Sequence, residues 1–344
     1  MTTSFKKTRA RAPLRLGLAG GGTDLSPYCD THGGAILNAT IDRYAFASIL
    51  PREDDKVVFE ADDIGKSETL ALGETAAAEL LLHRGVYERM IAEFNQGRPI
   101  PVTVKTTVDA PAGSGLGSSS SLVVALVDGF RSILGAPLGN YDIARLAFEI
   151  ERVDLALSGG RQDQYAAAFG GINFIEFLAE DRVIVNPLRV SEAICNELES
   201  SLVICFSGVS RQSAIIIDQQ TSGMRALDGK TMTALHRLKG DALEMKRALL
   251  VGDIDRMAEI LNDSWGAKKA TSSAVSNDNL ERLFDVAMAY GALAGKVSGA
   301  GGGGFMFFLV HPENRFNLIE ALNAAGGQAS PAKLTDRGSQ TWQY

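Results

Sequence analysis

Pro111-Ala-Gly-Ser-Gly-Leu-Gly-Ser-Ser-Ser-Ser121 is the stretch whose reading decides this chain. It follows a strand-like run, Pro101-Val-Thr-Val-Lys-Thr-Thr-Val108, and leads into the apolar, helix-compatible run Leu122-Val-Val-Ala-Leu-Val127. Gly lets the backbone turn sharply and approach a ligand closely. The first N–H groups of the helix have no partner within it and lie at its positive dipole end. Together these features suit phosphate, and the Ser hydroxyls add donors or ligands for Mg²⁺. The plainer alternative is a flexible loop before a Ser-capped helix, but four consecutive Ser exceed what one cap needs. No Lys follows Gly115 or Gly117, so this is not the Walker loop. The phosphate charge must then be balanced by the helix dipole, by Mg²⁺ or by basic residues from elsewhere.

The bulk composition narrows the classes. A chain of 344 residues has room for two domains. Its net charge of −7 argues against nucleic acid as the main partner, because a phosphate backbone needs a basic face. The three cysteines, Cys29, Cys195 and Cys205, are widely spaced and lack metal-ligand spacing. Met1 to Arg15 is basic without the apolar core of a secretory signal, and no run approaches the ~18 apolar residues of a membrane span. A cytoplasmic protein with no membrane partner is expected, and homodimerisation is left open.

Strand-like runs at 14–19, 35–50, 56–60 and 102–108 alternate with helix-like ones at 76–94, 119–134 and 141–157. A β-rich stretch at 171–187 and a buried strand at 202–206 precede a helix-rich run, and the chain closes on a βαβ pattern. The order predicts an α+β protein of two domains, residues 1–195 and 196–344.

Three more clusters carry chemistry. Pro13-Leu-Arg-Leu-Gly-Leu-Ala-Gly-Gly-Gly-Thr-Asp24 puts a charge, Arg15, inside an apolar strand; it is either paired or presented to an anion. Asp24 is an N-cap or an acceptor for sugar hydroxyls. Phe148-Glu-Ile-Glu-Arg-Val-Asp154 is followed by Gly159-Gly-Arg-Gln-Asp-Gln164. Glu149 and Glu151 are two apart and cannot share a helix face, so one points inward. Asp163 reads as a loop residue, a turn former or part of a hydrogen-bonded pocket. Finally, Gly299 to Gly304 formally matches Gly-x-Gly-x-x-Gly, but Phe305-Met-Phe-Phe-Leu-Val310 after it is a strand, not a helix. That context removes a dinucleotide site and leaves a backbone-lined loop at the phosphate site, or a crowded turn.

The Pro13–Asp24 segment, the Pro111–Ser121 loop and the Gly299–Gly304 loop occur in this order over nearly the whole chain, and together they resemble the GHMP kinase superfamily of galactokinase, homoserine kinase and mevalonate kinase. The resemblance implies a ribosomal-protein-like N-terminal domain with a left-handed βαβ unit, a ferredoxin-like C-terminal domain, and an active site between them. It implies that Pro111, Gly113, Ser114, Gly115, Leu116, Gly117, Ser118 and Ser119 wrap the phosphates of ATP, and that Ser119 and Glu151 hold Mg²⁺. It further implies that Asp163 and Arg15 are catalytic, and that Gly21, Gly22, Thr23, Asp24, Gly301 and Gly302 lie at the substrate. Where galactokinases carry Gly-Glu-His-Thr-Asp, this chain carries Gly20-Gly-Gly-Thr-Asp24. Losing a carboxylate there empties space and removes a repulsion, so the expected substrate is a sugar larger than galactose with its own phosphate, phosphorylated at its anomeric hydroxyl. Arg161 and Arg211 are candidate partners for that phosphate; the alternative for each is an ion pair at the domain boundary.

Overall fold

A computed structural model describes residues 5–210 and 213–344, with burial unassigned at 213 and 214. Its strands are β1 Thr8–Ala19, β2 Gly34–Pro51, β3 Lys56–Ala61, β4 Lys66–Ala71, β5 Val102–Val108, β6 Ile172–Phe177, β7 Val183–Pro187, β8 Leu202–Phe206, β9 Ala292–Val297, β10 Phe305–Val310, β11 Gln328–Pro331 and β12 Gln340–Gln343. The helices are α1 Tyr28–His32, α2 Leu81–Phe94, α3 Ser118–Leu134, α4 Asn140–Glu149, α5 Gln162–Phe169, α6 Glu192–Ser200, α7 Ser213–Arg225, α8 Gly229–Val251, α9 Ile254–Ala270, α10 Asp278–Ala289 and α11 Arg315–Ala324.

Two sheets organise the chain. The first runs β12-β1-β2-β5-β3-β4, with β6 and β7 added beside β2. The long β2 divides its free edge, pairing through Gly34–Ala39 with β6 and through Ala45–Pro51 with β5. All its pairings are antiparallel except β3 with β5. The second sheet runs β11-β8-β10-β9 and is antiparallel throughout. The expected domain boundary at 195/196 falls inside α6, and β12 returns from the end of the chain to pair with β1.

Alternation along the strands explains how the layers stack. In β10, Phe305, Phe307 and Leu309 face one core, and Met306, Phe308 and Val310 face another. The middle of this sheet is therefore buried on both faces, which is why β8 and β10 read as unbroken apolar runs. The first of these cores also takes Leu14 and Leu16 of β1, Leu37 and Ile41 of β2, and Met245 and Leu261 of α8 and α9. That shared core clamps the second half of the chain onto the ends of β1 and β2, where the glycine-rich segments emerge. A separate core packs α2, α3 and α4 against the far half of the first sheet through Ile49, Phe59, Met90, Leu126 and Phe130.

The apolar run at 122–127 is buried throughout, as a helix between two layers should be. The segment expected as one helix over 141–157 is instead α4 followed by a π-helical turn at Ile150–Asp154, in which Leu155 N donates to Ile150 O at 3.0 Å. No helix of the described residues is long and apolar enough to cross a membrane.

Candidate active site

The loop expected to hold phosphate is built by close backbone contact. Gly115 has φ +82°, and a Cβ there would lie 2.3 Å from Ser298 O. Gly304 has φ +81°, with a Cβ position 2.3 Å from Ser114 O. The loops at 111–118 and 298–305 are thus pressed together, and Phe305 N donates to Ser114 O at 2.7 Å. The glycine-rich 299–304 turn is therefore crowded and packed against the 111–118 loop. Gly299 and Ala300 face the cleft. Gly301 and Gly302, expected at the substrate, are turned to the 272–277 segment instead; Gly302 N donates to Val275 O at 2.7 Å.

α3 begins at Ser118 behind Gly117, which is in the left-handed conformation, and no side chain caps it. Its free N–H groups open on a cleft lined by Gly113, Gly115, Gly117 and Ser118 to Ser120. The rest of the predicted loop is structural. Leu116 is fully buried in the shared core, Ser114 is buried, and Pro111 is exposed.

Arg15, 3% exposed, is paired within the protein and borders the cleft. Its Nε donates to Asp163 Oδ1 at 2.7 Å, and its NH1 to the Gly115 carbonyl and to Ser298 Oγ at 3.2 Å. One guanidinium so ties the catalytic candidate to both glycine-rich loops. Asp163 does not lie in a loop as predicted; it sits in the first turn of α5. The missing side chain of Gly117 leaves Asp163 Oδ2 open, since a Cβ there would lie 3.3 Å from it.

Asp24 caps the helix that carries Asp163. Its Oδ2 accepts from Arg161 N at 2.9 Å and Gln162 N at 3.1 Å, and its Oδ1 accepts from Gly22 N at 3.3 Å. It is the N-cap residue of neither helix, Pro27 and Arg161 holding those positions at α1 and α5, but its carboxylate serves the start of α5 and it lines the cleft. Thr23 is fully buried and braces the turn, donating to Gly20 O at 2.8 Å and Ala35 O at 3.0 Å, so it does not face the substrate. A Cβ on Gly160 would fall 1.9 Å from Asp24 Oδ2. Gly160→Ala is therefore expected to expel the Asp24 carboxylate, cost ~1–3 kcal/mol of stability and lower kcat by tilting α5. Urea unfolding and steady-state kinetics on the same preparation check both effects.

The two glutamates separate as the spacing requires. Glu149 is held at the surface by Arg89 at 2.8 Å and Arg145 at 2.9 Å. The π-helical turn swings Glu151 inside, where it is fully buried. Its Oε1 accepts from Ser119 Oγ at 3.1 Å and its Oε2 from Gln164 Nε2 at 2.5 Å, with Arg152 NH1 at 3.7 Å from Oε1. Among the described residues no group of three His, Cys, Asp or Glu could hold a metal. Mg²⁺ does not need one, since it takes one or two protein oxygens and completes its shell with phosphates and water. The adjacent Ser119 and Glu151 oxygens beside the helix N-terminus fit that requirement.

Arg161 is committed to Asp181 at 2.7 Å and Asp30 at 3.2 Å, with Ser26 Oγ at 3.2 Å, which is the ion-pair alternative. It lines a recess beside the cleft together with Arg152 and Arg225. Arg211 lies outside the described residues.

Two features escaped the sequence reading. An apolar recess of about 320 Å³ adjoins Ser118 and Ser119 and is lined by Ile64, Leu80, Leu82, Val108, Ala110 and Leu122. Besides α3, its walls come from three separate segments, around Ile64, Leu80–Leu82 and Val108–Ala110. The second is Lys268, which lines the main cleft near the end of α9 and is 4% exposed. Burial lowers its pKa to about 8, a shift that Asp24 opposes and Arg15 adds to. In sequence it is one of two adjacent lysines in a last helical turn, indistinguishable from a charge complementing the dipole.

Comparison with known proteins agrees with this geometry. The model of the GHMP kinase N-terminal domain matches residues 81–171, and that of the GHMP kinase C-terminal domain matches residues 245–328. The chain is 44% identical to the D-glycero-alpha-D-manno-heptose 7-phosphate kinase of Campylobacter jejuni, over 98% of this chain and 100% of that one. A D-glycero-D-manno-heptose 1-phosphate kinase from Bacteroides thetaiotaomicron superposes with TM-score 0.83 at 42% identity, covering 98% of this chain and 99% of that one. A putative sugar kinase from Campylobacter jejuni superposes with TM-score 0.82 at 43% identity, covering 99% of each. A mevalonate kinase at 17% identity and TM-score 0.76 shares the fold alone. An uncapped helix end, a glycine-packed loop and an Arg–Asp pair poised beside it are thus those of a sugar kinase, and the chain belongs to the GHMP kinase family.

Proposed function

We propose that the protein transfers the γ-phosphoryl group of ATP to the anomeric hydroxyl of D-glycero-D-manno-heptose 7-phosphate, giving the 1,7-bisphosphate. The observation that carries this reading is the Arg15–Asp163 pair beside the uncapped start of α3. The relative at 44% identity bears the name of that activity.

In this reading the adenine ring occupies the apolar recess beside Leu80 and Val108, and the phosphates lie over Gly113 to Ser119 against the free N–H groups of α3. Ser119 and Glu151 would hold Mg²⁺, which when bound neutralises charge on the ATP phosphates. Asp24 and Gly22 shape the wall against which the sugar rests. Asp163 Oδ1 is held by Arg15, so Oδ2 faces the sugar. The anomeric oxygen attacks the γ-phosphorus, its proton passes to Asp163, and the bond from the γ-phosphorus to the bridging oxygen breaks to release ADP. The guanidinium of Arg15 fixes the carboxylate and offsets charge developing on the transferred group. Phosphoryl transfer needs chiefly such positioning and neutralisation. The product would enter nucleotide-activated heptose synthesis for surface polysaccharide in the cytoplasm.

The test is a coupled ADP-release assay with ATP and Mg²⁺. Its panel holds the heptose 7-phosphate, the heptose 1-phosphate, the unphosphorylated heptose, mannose, fucose, galactose and mevalonate. The expected kcat/KM for the 7-phosphate is at least ~100-fold above the others, roughly 2.7 kcal/mol of discrimination. Preference for an unphosphorylated sugar would keep the kinase and overturn the substrate. Binding without turnover would leave a sugar sensor on the kinase fold.

A further inference from the structure

We infer that Lys268 is the residue that reads the substrate's own phosphate, its ammonium standing in the space left by the missing side chains of Gly21 and Gly22. The inference rests on the phosphosugar reading above and names the group that recognises the phosphate.

α9 turns one face into the protein, carrying Leu261, Ser264 and Lys268, all buried. The neighbouring Lys269, about 100° further round the helix, pairs with Glu281 at 3.3 Å and covers the Trp265 ring. Lys268 instead reaches the cleft, where its Nζ donates to Gly21 O at 3.1 Å. A Cβ on Gly21 would lie 4.0 Å from that nitrogen, and one on Gly22 only 3.4 Å. A side chain on either glycine would start at van der Waals distance from the ammonium, so the bare backbone and the cation border one space.

The charges around the cleft are otherwise engaged. Arg15 holds Asp163, Arg152 approaches Glu151, and the Asp24 carboxylate is taken by backbone N–H groups. Lys268 makes no ion pair among the described residues, and its single hydrogen-bond acceptor is a neutral carbonyl. A second lysine, Lys296, is also buried, and the charge of Lys268 helps to lower its pKa. Asp24 acts on Lys268 through space without pairing with it, so the buried ammonium stays costly in the free protein and is relieved by an arriving anion. The helix N-terminus and Arg15 already serve the nucleotide phosphates, and Lys268 does not border the apolar recess that adjoins them. The anion left for it is the one on the sugar. Where a carboxylate would have favoured a neutral sugar hydroxyl, an ammonium favours a phosphate.

The experiment compares the heptose 7-phosphate with the unphosphorylated heptose in the full-length enzyme, by calorimetric Kd and by kcat/KM. For Lys268→Met, a loss of ~10–100-fold in affinity for the phosphosugar is expected, the size of one charge-assisted contact. Affinity for the unphosphorylated sugar and KM for ATP should hold within a few-fold, and Lys268→Arg should recover part of the loss. Gly21→Glu, which places a carboxylate beside the ammonium, should reproduce the selective loss in a protein that keeps Lys268. Arg225→Ala, in the neighbouring recess, should leave the preference intact. Equal losses on both sugars for Lys268→Met would make Lys268 a general active-site or structural cation and overturn the inference. So would a preference that follows Arg225. If the wild-type enzyme itself does not prefer the phosphosugar, the substrate reading fails; if it does and Lys268→Met keeps the preference, only the Lys268 assignment fails.

Discussion

Asp163→Asn is expected to lower kcat by roughly 10²–10⁴-fold while both substrates still bind within a few-fold of wild type. Asn keeps the shape of the side chain, and its carbonyl oxygen can still accept from Arg15 Nε at the position where Asp163 Oδ1 now lies, 2.7 Å away. Arg15 also retains Gly115 O and Ser298 Oγ. The link between the two glycine-rich loops therefore survives, and what disappears is the group that takes the sugar proton and holds the hydroxyl by charge. Asp163→Ala is a poorer probe. It would leave a guanidinium whose side chain is only 4% exposed without its counter-charge, and removing one partner of a buried pair typically costs about 3–5 kcal/mol. ADP-release kinetics combined with calorimetry on the Asn variant make the measurement. A kcat within 10-fold of wild type would remove Asp163 from the chemistry.

Glu151→Gln is expected to raise the Mg²⁺ concentration needed for half-maximal activity and to lower kcat at saturating ATP by about 10²-fold. That corresponds to part of the several kcal/mol that a well-placed cation contributes to phosphoryl transfer. The substitution isolates charge from packing for a structural reason. Gln164 Nε2 now donates to Glu151 Oε2 and to Ser120 Oγ at 3.1 Å, while Gln164 Oε1 is buried with no partner. With its carbonyl oxygen where Oε2 now lies, the new side chain still accepts from Gln164 Nε2, and its amide nitrogen can donate to Ser119 Oγ, which accepts instead of donating. The fold should therefore tolerate the change, with a melting temperature within a few degrees of wild type. A Mg²⁺ titration of activity, run beside thermal unfolding, tests the claim. An unchanged Mg²⁺ dependence would take Glu151 out of the metal site.

The sequence reading and the structure part company at identifiable residues. Glu151 was recognisable as a candidate but not as the inward one of its pair, because the π-helical turn that sends it inside depends on how 150–157 pack under α2 and α3. Asp163 was placed in a loop because Gly159 and Gly160 precede it; the helix begins there because Asp24, 139 residues earlier, caps it through Oδ2. Thr23, Gly301 and Gly302 looked like substrate contacts from their place in motifs. Each instead meets backbone, which no motif reports. Arg161 was offered as a phosphate ligand or an ion pair, and Asp30 and Asp181 decide for the pair.

The amino-acid sequence by itself determined the glycine-rich loop before α3, the burial of α3 and the strand-to-strand nature of the 299–304 turn. These follow from contiguous residues: positive φ at glycines, an open helix N-terminus and an unbroken apolar run act over a few positions along the chain. The tertiary structure alone decided which charges meet. Arg15 and Asp163 are 148 positions apart, and Lys268 lies 247 positions from the carbonyl it touches. Whether Lys268 or Lys269 faces the cleft depends on the rotation of α9, and that rotation is set by packing Leu261 against β1 and the second sheet. Side-chain direction in a buried layer is a property of the whole packing, so the reactive pair and the ammonium at Gly21 come into being only when the two halves of the chain close on their shared core.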